Sequence, residues 1–117
     1  MKQYNDVLKR IVTEGVDREG RNGMTRSLFA IQMRFDLAEG FPAVTTKKLA
    51  FNAVKGELLW FIEGSGDDNR LKEIMGTERT IWTDNAEAEY WLPKAKFPGD
   101  LGRIYGMQWR KWVGPDG

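Results

Sequence analysis

The 117-residue sequence contains neither cysteine nor histidine. These absences exclude a zinc site of the usual Cys/His kind, a thiol nucleophile and a Ser-His-Asp triad within this chain, and we expect no metal site. No apolar run reaches the ~18–20 residues that span a membrane, and the N-terminus lacks the apolar region of a signal peptide. The net charge of +1 argues against a dedicated nucleic-acid site. We therefore expect a cytoplasmic protein without a membrane partner.

Aromatic side chains, by contrast, are abundant: five Trp, three Tyr and six Phe. Large aromatic residues usually mark either a core or a ligand surface. The remaining composition is that of an ordinary globular chain, and no repeat, low-complexity tract or linker divides it. We expect one domain over residues 1–117.

Apolar spacing and glycine positions predict two longer helices. Residues 4–12 carry an apolar stripe at i, i+3, i+4 and i+7, and Gly15 lies just beyond it. Residues 51–62 form an apolar stretch of helical length that stops at Gly64. We refer to this second stretch as the central helix.

Two shorter helices are predicted after the central helix. One is capped by Asp67 or Asp68 and ends at Gly76. The other begins near residue 83 and runs through Tyr90.

Between the first and central helices, the apolar period changes to two. Residues 16–26 contain glycines and arginines and are typical of a loop. Residues 27–37 then alternate apolar and other side chains, which predicts a strand with one apolar face.

Glu57 is the carboxylate that interrupts the apolar central helix. Its neighbours three and four positions away are all apolar: Ala53, Val54, Trp60 and Phe61. A glutamate on such a face reaches to water, is paired, or handles protons in a reaction. The spacing leaves these three interpretations open.

Three arginines lie in the predicted loop: Arg18, Arg21 and Arg26. Guanidinium groups match phosphate or carboxylate oxygens with two parallel hydrogen bonds. The loop is not a Walker A motif, because no Gly-Lys-Ser/Thr follows. Arginine for a phosphate, aromatic rings for stacking and a carboxylate for protons together suit a planar, phosphorylated small molecule. The alternative is that each feature is separately structural.

Several stretches together resemble the N-terminal part of thymidylate synthase. They occur in the order and near the spacing of that family, and the resemblance covers essentially all 117 residues. The stretches are residues 1–4, 40–47, 56–61, 80–82 and 99–110.

The resemblance implies reductive methylation of dUMP to dTMP, with 5,10-methylenetetrahydrofolate as the cofactor that supplies the one-carbon unit and the hydride. It also implies a homodimer. By position, Glu57 matches the glutamate that organises water and proton transfer, and Tyr105 matches a tyrosine close to the nucleophile. Arg21 matches the arginine that binds the nucleotide phosphate, and Arg26 is expected to share that role. For the folate, the matching residues are Lys47, Ile81 and Trp82.

The sequence departs from the family pattern in three places. The arginine loop is one residue shorter than the family's, a histidine often found in the family is replaced near Ala50, and a second tryptophan is replaced near Asn85. The chain also stops before the position of the family's nucleophilic cysteine. We therefore expect no turnover by this chain alone, and a complementing C-terminal fragment as a possible partner.

The sequence is also consistent with two alternatives to a thymidylate synthase portion. One is a portion of a pyrimidine hydroxymethylase, which shares the fold and the glutamate. The other is a non-catalytic module that binds a complete synthase or a nucleotide. For the fold, the resemblance implies the N-terminal part of an α+β structure, with a mixed, bent sheet that includes residues 27–37 and is flanked by helices.

Overall fold

The computed structural model describes residues 1–115, and the chain divides into two units, Met1–Leu49 and Ala50–Gly117. The expectation of one domain over residues 1–117 stays a prediction. Within the described residues, none of the helices combines the length and the apolar character required to cross a membrane.

The first unit begins with helix α1, Lys2–Glu14. The apolar stripe is half-buried at Tyr4, Val7 and Ile11, while the polar side faces solvent. Gly15 ends the helix in an extended conformation, and its N–H donates to the carbonyl of Ile11 at 3.0 Å. The predicted first helix is confirmed.

The arginine-containing segment is a β-hairpin, so the prediction of a loop over residues 16–26 is wrong. Strands β1, Val16–Gly20, and β2, Gly23–Ser27, pair antiparallel, with Gly20 opposite Gly23. Only Arg21 and Asn22 form the turn. Gly23, which follows these two residues, has a φ of 106°, a conformation that glycine adopts at little cost.

The predicted strand over residues 27–37 is also wrong in the described part of the chain. Strand β2 ends at Ser27, residues 28–36 pair with no neighbouring strand, and a 3-10 helix follows at Leu37–Glu39. Alternation identifies an apolar face, but a strand also needs a hydrogen-bonded neighbour. Among residues 1–115 the sheet therefore consists of the antiparallel hairpin β1 and β2. The α+β class is confirmed.

The second unit begins with the central helix α2, Phe51–Glu63. Gly64 ends it in the left-handed conformation, with a φ of 68°. Helix α3, Asp68–Met75, follows: the Asp67 carboxylate caps it by accepting from the N–H of Asn69, and Gly76 terminates it. Both helices match their predicted ends.

The remaining elements of the second unit are short. Helix α4 covers Thr83–Ala86 and stops before the predicted end at Tyr90. A 3-10 helix at Leu92–Lys94 and helix α5, Tyr105–Arg110, complete the described elements.

The core of the second unit forms where α2 packs against α3 and α5. Its buried apolar side chains are Trp60, Leu71, Ala86 and Leu101. Gly56 lies at the α2–α3 contact, where an added Cβ would meet Met75 Cγ at 2.6 Å. The absence of a side chain at Gly56 therefore allows the two helices to approach closely.

Candidate functional site

Glu57 is half-buried on α2, and its carboxylate has a specific partner. The indole Nε1–H of Trp82 donates to Glu57 Oε1 at 2.6 Å. A hydrogen bond to a charged acceptor is stronger than a neutral one and fixes the carboxylate's orientation. Of the three interpretations left open by the sequence, the structure shows pairing, and the pairing leaves Oε2 without a hydrogen bond from residues 1–115.

Trp82 and four neighbouring aromatic side chains form what we call the aromatic cluster. The Phe61 ring lies 5.6 Å from Tyr105 and 6.4 Å from Trp82, and Trp82 lies 6.0 Å from Tyr105, in each case edge-to-face. This arrangement is favourable for aromatic quadrupoles. The members are Trp60, Phe61, Trp82, Tyr105 and Trp109.

Tyr105 reaches the cluster because α5 crosses α2 closely at Gly106. An added Cβ at Gly106 would meet Phe61 Cα at 3.0 Å and the carbonyl of Ser65 at 2.9 Å. The segment before α5 is fixed by the N–H of Leu101, which donates to the Gly66 carbonyl at 2.9 Å. The structure therefore brings Glu57, Trp82 and Tyr105 together.

Ile81 precedes Trp82 in the turn before α4. Its side chain is 75% exposed, although it is large and apolar. Trp82 is half-buried beside it. The two residues thus present neighbouring apolar surface, part of which is accessible to a ligand.

Asp68, which the sequence predicts only as a candidate helix cap, is a buried carboxylate that supports this turn. Asp68 has no solvent exposure. It accepts from Thr80 Oγ1 at 2.5 Å and from Thr83 Oγ1 at 2.8 Å, and it pairs with Lys72 Nζ at 3.0 Å. The sequence contains one indication of this second role: Asp67 and Asp68 are adjacent, and because only one of them can cap the helix, the other must have a different role.

The polar surroundings of Asp68 determine its protonation. Burial alone would raise the pKa of the Asp68 carboxyl, but the hydrogen bonds from Thr80, Thr83 and Lys72 and the charge of Lys72 outweigh it and hold the pKa below its ordinary value. Asp68 is therefore a buried, ionised carboxylate with its oxygens satisfied.

Arg21 lies in the first unit, exposed at the turn of the hairpin. Within residues 1–115, its guanidinium makes no hydrogen bond or ion pair. Arg18, on β1 of the same hairpin, is exposed as well. Arg21 is thus available to an anionic ligand at the tip of a defined turn.

Arg26 is differently placed, because it is engaged within the first unit. It forms a two-pronged ion pair with Asp17 at 2.7 and 2.8 Å and donates to the Val12 carbonyl at 3.1 Å. The hydrogen bond from Arg26 lowers the pKa of Asp17. These contacts tie the hairpin to α1. Lys47 is exposed at a bend in the same unit.

The comparisons with known proteins agree with the motifs. The family model described as thymidylate synthase matches residues 2–117. The chain belongs to the thymidylate synthase family. The resemblance found in the sequence is thereby confirmed.

A solved thymidylate synthase from T4 phage has a similar fold. It is 42% identical to this chain, with a TM-score of 0.81. The match covers 98% of this chain and 42% of the phage chain. The chain thus spans less than half the length of that relative.

Proposed function

We propose that this chain contributes to the thymidylate synthase reaction, the reductive methylation of dUMP to dTMP. The observation that carries the proposal is the bond from Trp82 Nε1 to Glu57 Oε1 within a chain of this family. It fixes a carboxylate beside partly exposed aromatic rings, which is where a reaction on a planar ring needs its proton-handling group.

Glu57 acts in this proposal as the organiser of proton transfer. Because Trp82 engages Oε1, the carboxylate cannot rotate freely, and Oε2 is left to accept from a water molecule or from the pyrimidine. Tyr105 is half-exposed at the aromatic cluster, and its proposed role is to donate a hydrogen bond from its hydroxyl near the reacting ring.

Arg21 is the proposed phosphate ligand. Its guanidinium is exposed and can donate two parallel N–H hydrogen bonds to phosphate oxygens. Arg26 is expected to contribute indirectly, because its donors already hold Asp17 and the Val12 carbonyl and so stabilise the hairpin that presents Arg21.

The residues present fit 5,10-methylenetetrahydrofolate, which combines a planar ring system with an acidic tail. Ile81 and Trp82 would hold the ring through their apolar surfaces. The proposed pairing of the exposed Lys47 with a carboxylate of the tail rests on the family resemblance alone. When bound, this cofactor supplies the one-carbon unit and the hydride.

We propose that the thiol nucleophile comes from outside these 117 residues, because they contain no cysteine. We infer a complementing C-terminal fragment or a complete family chain in a dimer. Side chains of α2 support such a partner: Leu58, Leu59 and Ile62 are each about half exposed. That amount of apolar surface on one helix is typical of an interface.

The proposal is tested by reconstitution. The 117-residue chain is mixed with a C-terminal family fragment that contains the cysteine, and product from dUMP and 5,10-methylenetetrahydrofolate is identified by chromatography. We expect dTMP from the mixture and none from either piece alone or from a fragment with cysteine replaced by serine. Hydroxymethylated product would favour the hydroxymethylase alternative, and nucleotide binding without product would favour the binding module.

A further inference from the structure

A hydrogen-bonded chain runs from the buried Asp68 to Trp82. Asp68 Oδ1 accepts from Thr80 Oγ1 at 2.5 Å, and Thr80 Oγ1 accepts in turn from the backbone N–H of Trp82 at 3.0 Å. Two hydrogen bonds thus separate the Asp68 carboxylate from the Trp82 backbone.

A second path closes the turn on the other side of Trp82. Thr83 Oγ1 donates to Asp68 Oδ2 at 2.8 Å and accepts from the N–H of Thr80 at 2.9 Å. Asp68 therefore binds the residues on both sides of the Ile81–Trp82 pair. Because Asp68 and Thr83 are almost completely buried, water does not compete for these bonds.

We propose that Asp68 is a positioning residue that orients the turn at residues 80–83 so that the Trp82 indole meets Glu57. Asp68 does not touch Glu57 or the surface offered to a ligand; it acts through Thr80 and Thr83. The inference rests on the proposed function, in which Glu57 and Trp82 belong to the active site.

The geometry distinguishes this role from that of an ordinary buried ion pair. Lys72 neutralises the Asp68 charge from the same helix at 3.0 Å. Neutralisation alone would need no contact with the turn, yet both carboxylate oxygens accept from threonines of the turn. The hydrogen bonds from the Thr80 and Thr83 hydroxyls orient the turn relative to Asp68, which the ion pair with Lys72 does not do.

The test follows the indole N–H resonance of Trp82 in the ¹⁵N-labelled full chain, assigned as the signal that disappears in Trp82→Phe. We expect Asp68→Asn and Thr80→Val to shift this resonance and to make its solvent exchange about tenfold faster, as expected for a weakened hydrogen bond to a charged group. Thr80→Ser, which keeps the hydroxyl, should leave the resonance unchanged.

Two controls separate local orientation from a general loss of structure. Glu73→Gln alters an exposed carboxylate of α3 that pairs with Arg70 and does not contact the turn. The indole of Trp91, which donates to the Asp100 carbonyl at 2.6 Å, serves as an internal reference. We expect Glu73→Gln to leave the Trp82 indole resonance unshifted. We expect the Trp91 indole resonance to stay unshifted in all of these variants.

The proposal is overturned if Asp68→Asn and Thr80→Val fold and the Trp82 resonance keeps its position and exchange rate. It is equally overturned if both variants unfold, because Asp68 then holds the whole unit rather than one side chain. If Asp68→Asn alone unfolds, the two Thr80 variants decide: a Trp82 resonance that shifts in Thr80→Val but not in Thr80→Ser supports the proposal, and one that shifts in neither overturns it. Reconstitution of the unmodified chain with the C-terminal family fragment is read separately: absence of dTMP would count against the proposed function, while the Trp82 comparison would still decide the role of Asp68.

Discussion

At the scale of single residues, Glu57 illustrates how one hydrogen bond determines what a carboxylate can do. A glutamate among apolar side chains would otherwise turn toward water. The Trp82 indole holds one oxygen at 2.6 Å and leaves the other available. The side chain is therefore fixed in direction, while its second oxygen can still accept a hydrogen bond.

Replacement of Glu57 by glutamine tests the proton-handling role. We expect Glu57→Gln to fold, because the amide oxygen can still accept from Trp82. We expect dTMP formation by the reconstituted enzyme to fall about 10²–10⁴-fold, the usual contribution of a positioned acid or base. The measurement is kcat at saturating dUMP. Glu63→Gln, at the end of the same helix and paired with Arg70, is the control, and an equal loss there would contradict the assignment.

The two free arginines of the hairpin offer a matched pair for the phosphate site. We expect Arg21→Ala to weaken dUMP binding about 10–100-fold, since charge-assisted hydrogen bonds to the phosphate are lost. Arg18→Ala removes the same charge from the neighbouring strand and should have little effect. Calorimetric titration of the reconstituted enzyme measures the dUMP affinity of both variants. If both substitutions weaken binding equally, the loss reflects net charge and not a specific phosphate contact of Arg21.

At the scale of elements, the α2–α3 contact depends on a glycine within a helix. In most helices, Gly→Ala stabilises by roughly 1 kcal/mol. At Gly56 the added methyl would meet Met75 Cγ at 2.6 Å, so the two helices or the Met75 side chain must move.

We therefore expect Gly56→Ala to destabilise the chain by about 1–3 kcal/mol, the usual cost of overpacking. Urea unfolding followed by far-UV circular dichroism gives this difference. In a Met75→Ala background the clash is absent, and the same substitution should become neutral or stabilising. An equal cost in both backgrounds would show that the contact is not its cause.

The elements also show what local sequence can and cannot predict. Helices α2 and α3 were predicted with their ends, because Gly64, Gly76 and the Asp67 cap act within one turn of each helix. The prediction of a strand over residues 27–37 was wrong. Alternation of apolar residues is a local property of the sequence, whereas a strand must also pair with a neighbour that can lie far away in the sequence.

The candidate site divides in the same way. Motif resemblance identified Glu57 and Trp82 separately, but their hydrogen bond joins residues 25 positions apart. The Asp68 contacts to Thr80 and Thr83 span 12 and 15 positions, and no period or motif indicates them. These contacts depend on how α3 packs, which local spacing does not specify.

At the scale of the whole molecule, three carboxyl groups link stability to pH. Hydrogen bonds from Arg26 and Arg70 lower the pKa of Asp17 and Glu63, respectively. Asp68 also has a lowered pKa, because the increase caused by its burial is smaller than the decrease caused by its hydrogen bonds and by the charge of Lys72. Each group therefore binds protons more weakly in the folded chain than in the unfolded chain.

We accordingly expect the stabilisation from these groups to be fully present above the unfolded carboxyl pKa of about 4 and to be lost as pH falls through the lower folded values. Urea unfolding at a series of pH values between neutrality and acid measures the loss. Asp68→Asn should flatten the acid dependence more than Asp17→Asn, because solvent screens the exposed Asp17 pair. The opposite order would contradict this assignment.

The aromatic cluster has a further, optical consequence. The Trp60 ring is fully buried, with ring centroids 5.4 Å from Phe61 and 5.9 Å from Trp82. Aromatic rings held in fixed, asymmetric packing produce near-ultraviolet circular dichroism, which disappears when packing is lost. Since Trp82 also binds Glu57, we expect part of this signal to arise at the proposed site. We therefore expect docking of a nucleotide or a folate to change this native signal, so that binding can be measured without a label.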